Sequence, residues 1–185
     1  MESRKHAGPQ RGFTLIELVV AVGIVAVLVG LATPSFSSLF ETTRLSSYSN
    51  ELVGTALLAR SEAIKQNANV RMCVSSTGTG CTEGNWSDGY VVECMSTDGL
   101  RCATDPPDTA TALVLARQPR TANGWKITER NGVTAIAFTP TGSRATQATL
   151  KVCRLEPTVG TNERLVSVSA TGRPSVSKTT LRNCT

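Results

Sequence analysis

The stretch that most constrains this chain is Phe13–Ala32, FTLIELVVAVGIVAVLVGLA, twenty residues with a single charge at Glu17. As a helix rising about 1.5 Å per residue, it would reach roughly 30 Å, the thickness of one bilayer's hydrocarbon core. The polar stub before it, MESRKHAGPQRG, sets Arg4, Lys5 and Arg11 against Glu2, which by the positive-inside tendency keeps it in the cytoplasm. The run is long for the apolar core of a secretory signal, and no A-x-A cleavage site follows it, so it reads as a retained anchor. A carboxylate inside such a segment costs on the order of 3 kcal/mol on insertion scales. Glu17 therefore needs a partner or a function.

After Pro34 the pattern turns amphipathic. Leu45, Tyr48, Leu52, Ala56, Ala59 and Ala63 recur at steps of three and four, while Arg44, Glu51, Arg60, Glu62 and Lys65 take the other faces. The helix should continue to about Gln66, with a kink at Pro34, where proline removes a backbone donor and crowds the preceding turn. From Asn69 onward, short alternating segments separated by Gly, Pro, Asn and Asp predict strands over Val70–Val74, Tyr90–Cys94, Ala112–Arg117, Trp125–Glu129, Val133–Phe138, Thr149–Leu155 and Arg164–Ser169. The expected fold class is α+β: a long N-terminal transmembrane and amphipathic helix packed on an antiparallel β-sheet, with no internal repeat.

All six cysteines, Cys73, Cys81, Cys94, Cys102, Cys153 and Cys184, follow the apolar run, which places them in an oxidising compartment as disulfides. Six cysteines allow 15 connectivities. The equal spacing of Cys73 with Cys81 and of Cys94 with Cys102 favours two local loops, which leaves Cys153 for Cys184. Metal binding fits poorly: there is no C-x-x-C pair, and the only histidine, His6, lies in the stub. Charge is unevenly spread. Ala68–Ala116 carries two basic residues against six acidic, net −4, and Arg117–Thr185 carries eleven against three, net +8. The C-terminal portion is the part that could meet a polyanion; a solvated basic face is the favoured reading, because +8 spread over several strands need not form one patch.

The segment Gly12, Phe13, Thr14, Leu15, Ile16, Glu17 and the apolar run behind it resemble the N-terminal signature of type IV pilins and of the pseudopilins of type II secretion. That resemblance implies cleavage between Gly12 and Phe13 by a prepilin peptidase, methylation of the new Phe13 amine, and passage from the inner membrane into a helical filament. Glu17 would there meet the Phe13 amine of a neighbouring subunit, so that the charge acts as an assembly register, and Pro34 falls where such helices kink. The blocks NVRMCVSSTG, NWSDGYVVE, AIAFTPTGSR and RLVSVSATGRPSVSK resemble, in order, the H-type pseudopilin family, which includes the FimT and FimU minor pilins.

On this reading residues 1–12 are a leader, 13–35 the transmembrane and filament-core helix, 36–67 its amphipathic continuation and 68–185 a β-rich globular domain. The implied protein is a single-pass inner-membrane protein with a periplasmic C-terminal domain, a minor pilin of a type IV pilus acting in assembly or in a tip complex. The alternative is the minor pseudopilin H of a type II secretion system. Its partners would be other major and minor pilins or pseudopilins, the prepilin peptidase and the inner membrane.

A DNA-binding uptake pilin is the third alternative. Some FimT-like pilins bind DNA through glycine, arginine, any residue, arginine; here Gly172 and Arg173 match, but Ser175 stands where the second arginine would be. Lys178 and Arg182 complete the candidate DNA-binding set, since phosphates need positive charge but little geometry. The bland reading of the same residues is a turn, with Gly172 at positive φ and Pro174 starting the next segment. Removal of the leader would leave no histidine for acid–base work, and STGTG is followed by no helix, so no enzymatic activity and no cofactor are expected. The acidic residues Asp105, Asp108, Glu156 and Glu163 read as solvated loop charges.

Overall fold

The computed structural model describes residues 12–95, 113–144, 146–156, 163–179 and 184, without the side chains of residues 31–37 and 95. One helix, α1 (Leu15–Gln66), is followed by eight strands: β1 (Asn69–Val74), β2 (Tyr90–Met95), β3 (Val114–Gln118), β4 (Trp125–Glu129), β5 (Ala135–Phe138), β6 (Thr149–Arg154), β7 (Glu163–Val168) and β8 (Pro174–Thr179). The chain divides into two compact units, Met1–Leu39 and Phe40–Thr185, so the second half of α1 belongs with the strands. The helix runs through Pro34, and the kink expected there lies outside the residues with described side chains.

In the first unit, every described side chain from Gly12 to Gly30 is exposed. Among the described residues no helix is long and apolar enough to cross a membrane; the run that the sequence marks for a span continues into residues 31–37.

The second half of α1 is one-sided. Leu45, Leu52, Ala56, Ala59 and Ala63 are buried, on the spacing read from the sequence, and the three alanines let the helix backbone lie close to its neighbours. The helix stops at Gln66 because Asn67 adopts φ 49°, a left-handed conformation that asparagine tolerates. The Ala68 amide then donates to the Ala63 carbonyl (3.2 Å) and the Asn67 amide to the Ile64 carbonyl (3.3 Å), so two of the last turn's orphan acceptors are satisfied.

The strands form two four-stranded antiparallel sheets, in the orders β3-β2-β1-β5 and β4-β6-β7-β8, where the sequence suggested one. A single core joins the helix to both: Leu45, Leu52 and Ala59 pack in one cluster with Met72, Val92 and Phe138 of the first sheet and Ile127, Leu150 and Val166 of the second. Two buried carboxylates brace it. Glu41 on α1 is ion-paired with Arg154 on β6, whose guanidinium lies 6.0 Å from the centre of the Trp125 ring. Glu93 on β2 stands opposite Arg71 on β1 and accepts from its Nε at 2.7 Å, and its other oxygen accepts from the Cys81 amide at 3.0 Å. Glu163 departs from expectation: it opens β7, pairs in register with Thr179 and is buried, because β8 continues the sheet alongside it.

Cys73 is bonded to Cys81 and Cys153 to Cys184. Cys94 is also disulfide-bonded, and Cys102 lies outside the described residues. Cys73, Cys81 and Glu93 bring ligand-type atoms within 4.8 Å of one another, but both sulfurs are committed to the disulfide and Glu93 to Arg71 and Cys81, so the group is a braced cross-link.

Candidate assembly site and basic turn

Two places hold the residues singled out by sequence. The first is the start of α1. Gly12, Phe13 and Thr14 precede the helix and are exposed, and a side chain added at Gly12 would meet nothing within 4 Å. The Thr14 amide donates to Glu17 Oε2 at 3.5 Å, and the Glu17 amide donates to Thr14 Oγ1 at 3.3 Å. This reciprocal pair is a capping box: the threonine and the glutamate three residues on satisfy two amides that the helix leaves without partners. The carboxylate also lies in the first turn, where the helix dipole favours negative charge. Glu17 thus has a role within its own chain that the sequence reading missed, although T-x-x-E ahead of an apolar run is its signature.

The second place is the turn between β7 and β8. Ser169 donates its amide to the Arg173 carbonyl (2.9 Å), Gly172 donates to Ser169 (2.8 Å), and Gly172 has φ 73°. A Cβ on Gly172 would stand 2.0 Å from the Gly142 carbonyl oxygen, so the residue is fixed by a close backbone approach as well as by its turn. Thr139–Ser143 makes the same turn: Thr139 donates to the Ser143 carbonyl at 2.9 Å, and Gly142 donates to Thr139 at 2.8 Å. TPTG and SATG are therefore a short repeat that the sequence reading overlooked. The two turns stack, with the Arg144 amide donating to the Ala170 carbonyl (3.2 Å), and Arg60 on α1 donates its Nε to the Gly142 carbonyl (2.9 Å).

Of the candidate phosphate contacts, Arg173 sits in this turn and Lys178 in β8, opposite Arg164, while Arg182 lies outside the described residues. Arg173 and Lys178 are both exposed. Arg173 stands in the turn just before β8, and Lys178 lies five positions further on, within the strand. Elsewhere, burial pushes the Tyr90 phenol well above its usual range, with the Glu51 charge adding to the effect and a hydrogen bond with Thr55 opposing it, and burial also raises the Glu51 carboxyl.

Residues 49–172, more than half of the chain, match the family described as type II transport protein GspH. The chain belongs to the GspH family. Residues 8–33 also match the prokaryotic N-terminal methylation motif, which covers Gly12, Phe13 and Glu17. The pilin-like protein PilA1 of Thermus thermophilus is 39% identical over 71 residues, 38% of this chain and 44% of its own length, so the match spans less than half of that relative. The type IV minor pilin FimU of Pseudomonas aeruginosa aligns at a TM-score of 0.56 and 22% identity over 80% of this chain and 99% of its own. A second crystal form of FimU gives 0.54 and 21% over 76% of this chain. This GspH-family chain therefore shares the fold of a minor pilin.

Proposed function

We propose that the protein is a minor pilin of a type IV pilus: cleaved between Gly12 and Phe13 by a prepilin peptidase, methylated at Phe13, anchored in the bacterial inner membrane with its globular domain in the periplasm, and taken up into the filament or its tip complex. One observation carries the reading. The N-terminal half-helix exposes apolar side chains all round, from Leu15 to Val29, and holds one carboxylate at the fifth residue after the cleavage junction. Such a surface is stable only in lipid or against other helices like it. Its role is structural rather than catalytic.

In the membrane the capping box holds Glu17 beside its own helix start. In a filament the same carboxylate is within reach of Phe13 amines, its own or a neighbour's, and a paired charge costs far less than an isolated one. Glu17→Ala removes both charge and cap, whereas Glu17→Gln keeps a side chain able to cap and removes only the charge. If charge drives assembly, both variants are processed and both are depleted from filaments. Normal incorporation of Glu17→Gln would reassign Glu17 to capping. A second reading, the pseudopilus of a type II secretion system, is favoured by the family description itself; it predicts processed protein in the envelope and none in surface filaments.

A further inference from the structure

We propose that the cleft between the loop Ser75–Gly80 and the segment Arg117–Arg120 is a binding site for a phosphoryl group. The cleft has a volume of about 610 Å³ and is lined by Ser76, Thr77, Gly78, Asp88, Arg117 and Arg120, among others. That volume lies within the range of small-molecule sites.

Both walls are fixed before any ligand arrives. The loop is closed at its base by the Cys73–Cys81 disulfide. Within it, Ser75 Oγ donates to the Gly80 carbonyl at 2.6 Å and accepts from the Gly78 amide at 2.9 Å, and the Ser76 amide donates to Thr82 Oγ1 at 3.0 Å. The opposite wall is the end of β3 and the segment after it. The walls converge at Gly89, where a Cβ would stand 2.8 Å from both the Ser75 and the Gln118 carbonyl oxygens, so no side chain fits between them. Arg120 is steadied by Asp88, Nη2 to Oδ1 at 2.9 Å, while Asp88 Oδ2 accepts from the Asn85 amide at 3.2 Å. Arg117 is exposed and makes no ion pair among the described residues, and its Cδ lies 3.9 Å from where a Cβ on Gly78 would be.

The lining therefore offers two guanidinium groups against one carboxylate, with Ser76 and Thr77 on the loop wall, their hydroxyls bonded to Thr82 Oγ1 (3.4 Å) and Thr79 Oγ1 (2.9 Å). A carboxylate, with two oxygens in one plane, is satisfied by one arginine fork. A tetrahedral oxyanion presents oxygens in several directions and can accept from two arginines and a hydroxyl together. A neighbouring cleft of about 450 Å³ shares Asp88 and Arg120 and adds Lys126, so the groove continues past the ion pair and has room for the rest of a phosphate ester.

The test is a calorimetric titration of the full chain in maltoside micelles with inorganic phosphate and, separately, with glucose 6-phosphate, at ionic strength matched with sodium chloride. Saturable binding is expected for both. Tighter binding of the ester would assign a phosphomonoester; equal binding would assign free phosphate. Arg117→Gln, which breaks no described contact, should weaken binding roughly tenfold or more, the loss of one charge-assisted hydrogen bond. Lys65→Gln, on α1 and lining neither cleft, should leave it unchanged. No saturable heat, unchanged affinity in Arg117→Gln, or acetate binding as tightly as phosphate would overturn the assignment.

Discussion

The two halves of α1 are one continuous helix with opposite designs. From Leu15 to Gly30 every described side chain is exposed although nearly all are apolar, whereas beyond Phe40 Leu45, Leu52, Ala56, Ala59 and Ala63 form one buried stripe and Leu57, Leu58 and Ile64 stay exposed on the other faces. The contrast teaches that helix formation and burial are separate problems. The second half buries its stripe against two sheets of its own chain, so its stability is intramolecular. The first half has no such partner in its own unit, so its apolar surface is available for lipid or for other subunits.

That contrast can be broken most forcefully in the core. Phe138→Ala removes a fully buried ring and should cost about 3–5 kcal/mol, read as a large fall in the thermal midpoint of the globular unit. Val25→Ala, on the exposed half-helix, should leave that midpoint unchanged. If the two substitutions had equal effects, the division into two units would be wrong.

Next come the cross-links. On the chain-entropy estimate, losing Cys153–Cys184, with a sequence separation of 31, costs about 3.7 kcal/mol, and losing Cys73–Cys81, with a separation of 8, about 2.5 kcal/mol. Denaturant titration of the two double-serine variants should rank them in that order. The Cys73–Cys81 variant should also lose phosphate affinity, since its loop forms one wall of the cleft.

A smaller effect sharpens the comparison at the helix start. Thr14→Ala removes the capping hydroxyl and should cost about 1 kcal/mol of local helix stability, read as faster amide exchange over the first turn, with no change in the globular unit. The smallest effect belongs to Glu51. Burial raises its carboxyl in the folded state, so the charged form is a burden above that raised value and none below the ordinary carboxylate range. Glu51→Gln should therefore raise the midpoint slightly at pH 7 and lose that advantage as the pH is lowered through the carboxylate range.

Much of this was legible in the sequence because it was local. The 3.6-residue spacing of Leu45, Leu52, Ala56 and Ala63 gave the buried stripe, and alternation gave β1 to β7 within a residue or two at most ends. What was not local was not legible. The division into two sheets depends on pairing between distant strands, such as β1 with β5, and no short pattern encodes it. β8 was missed because its residues, PSVSKT, are mostly polar and exposed and bury no alternating face. The helix stop at Asn67 and the stacked TPTG and SATG turns were written in the sequence but rest on backbone geometry rather than hydropathy. The pairing of Glu17 with Thr14, three residues away, is carried by the T-x-x-E spacing rather than by the charge itself.

On the proposed reading, the exposed half-helix is a filament surface. The most direct measurement is mass spectrometry of filaments sheared from the cell surface, with purified protein added to a control to set the detection limit. The chain is expected in that fraction, beginning at N-methylated Phe13. Processed protein retained in the cell envelope, with none in the sheared fraction above that limit, would contradict it.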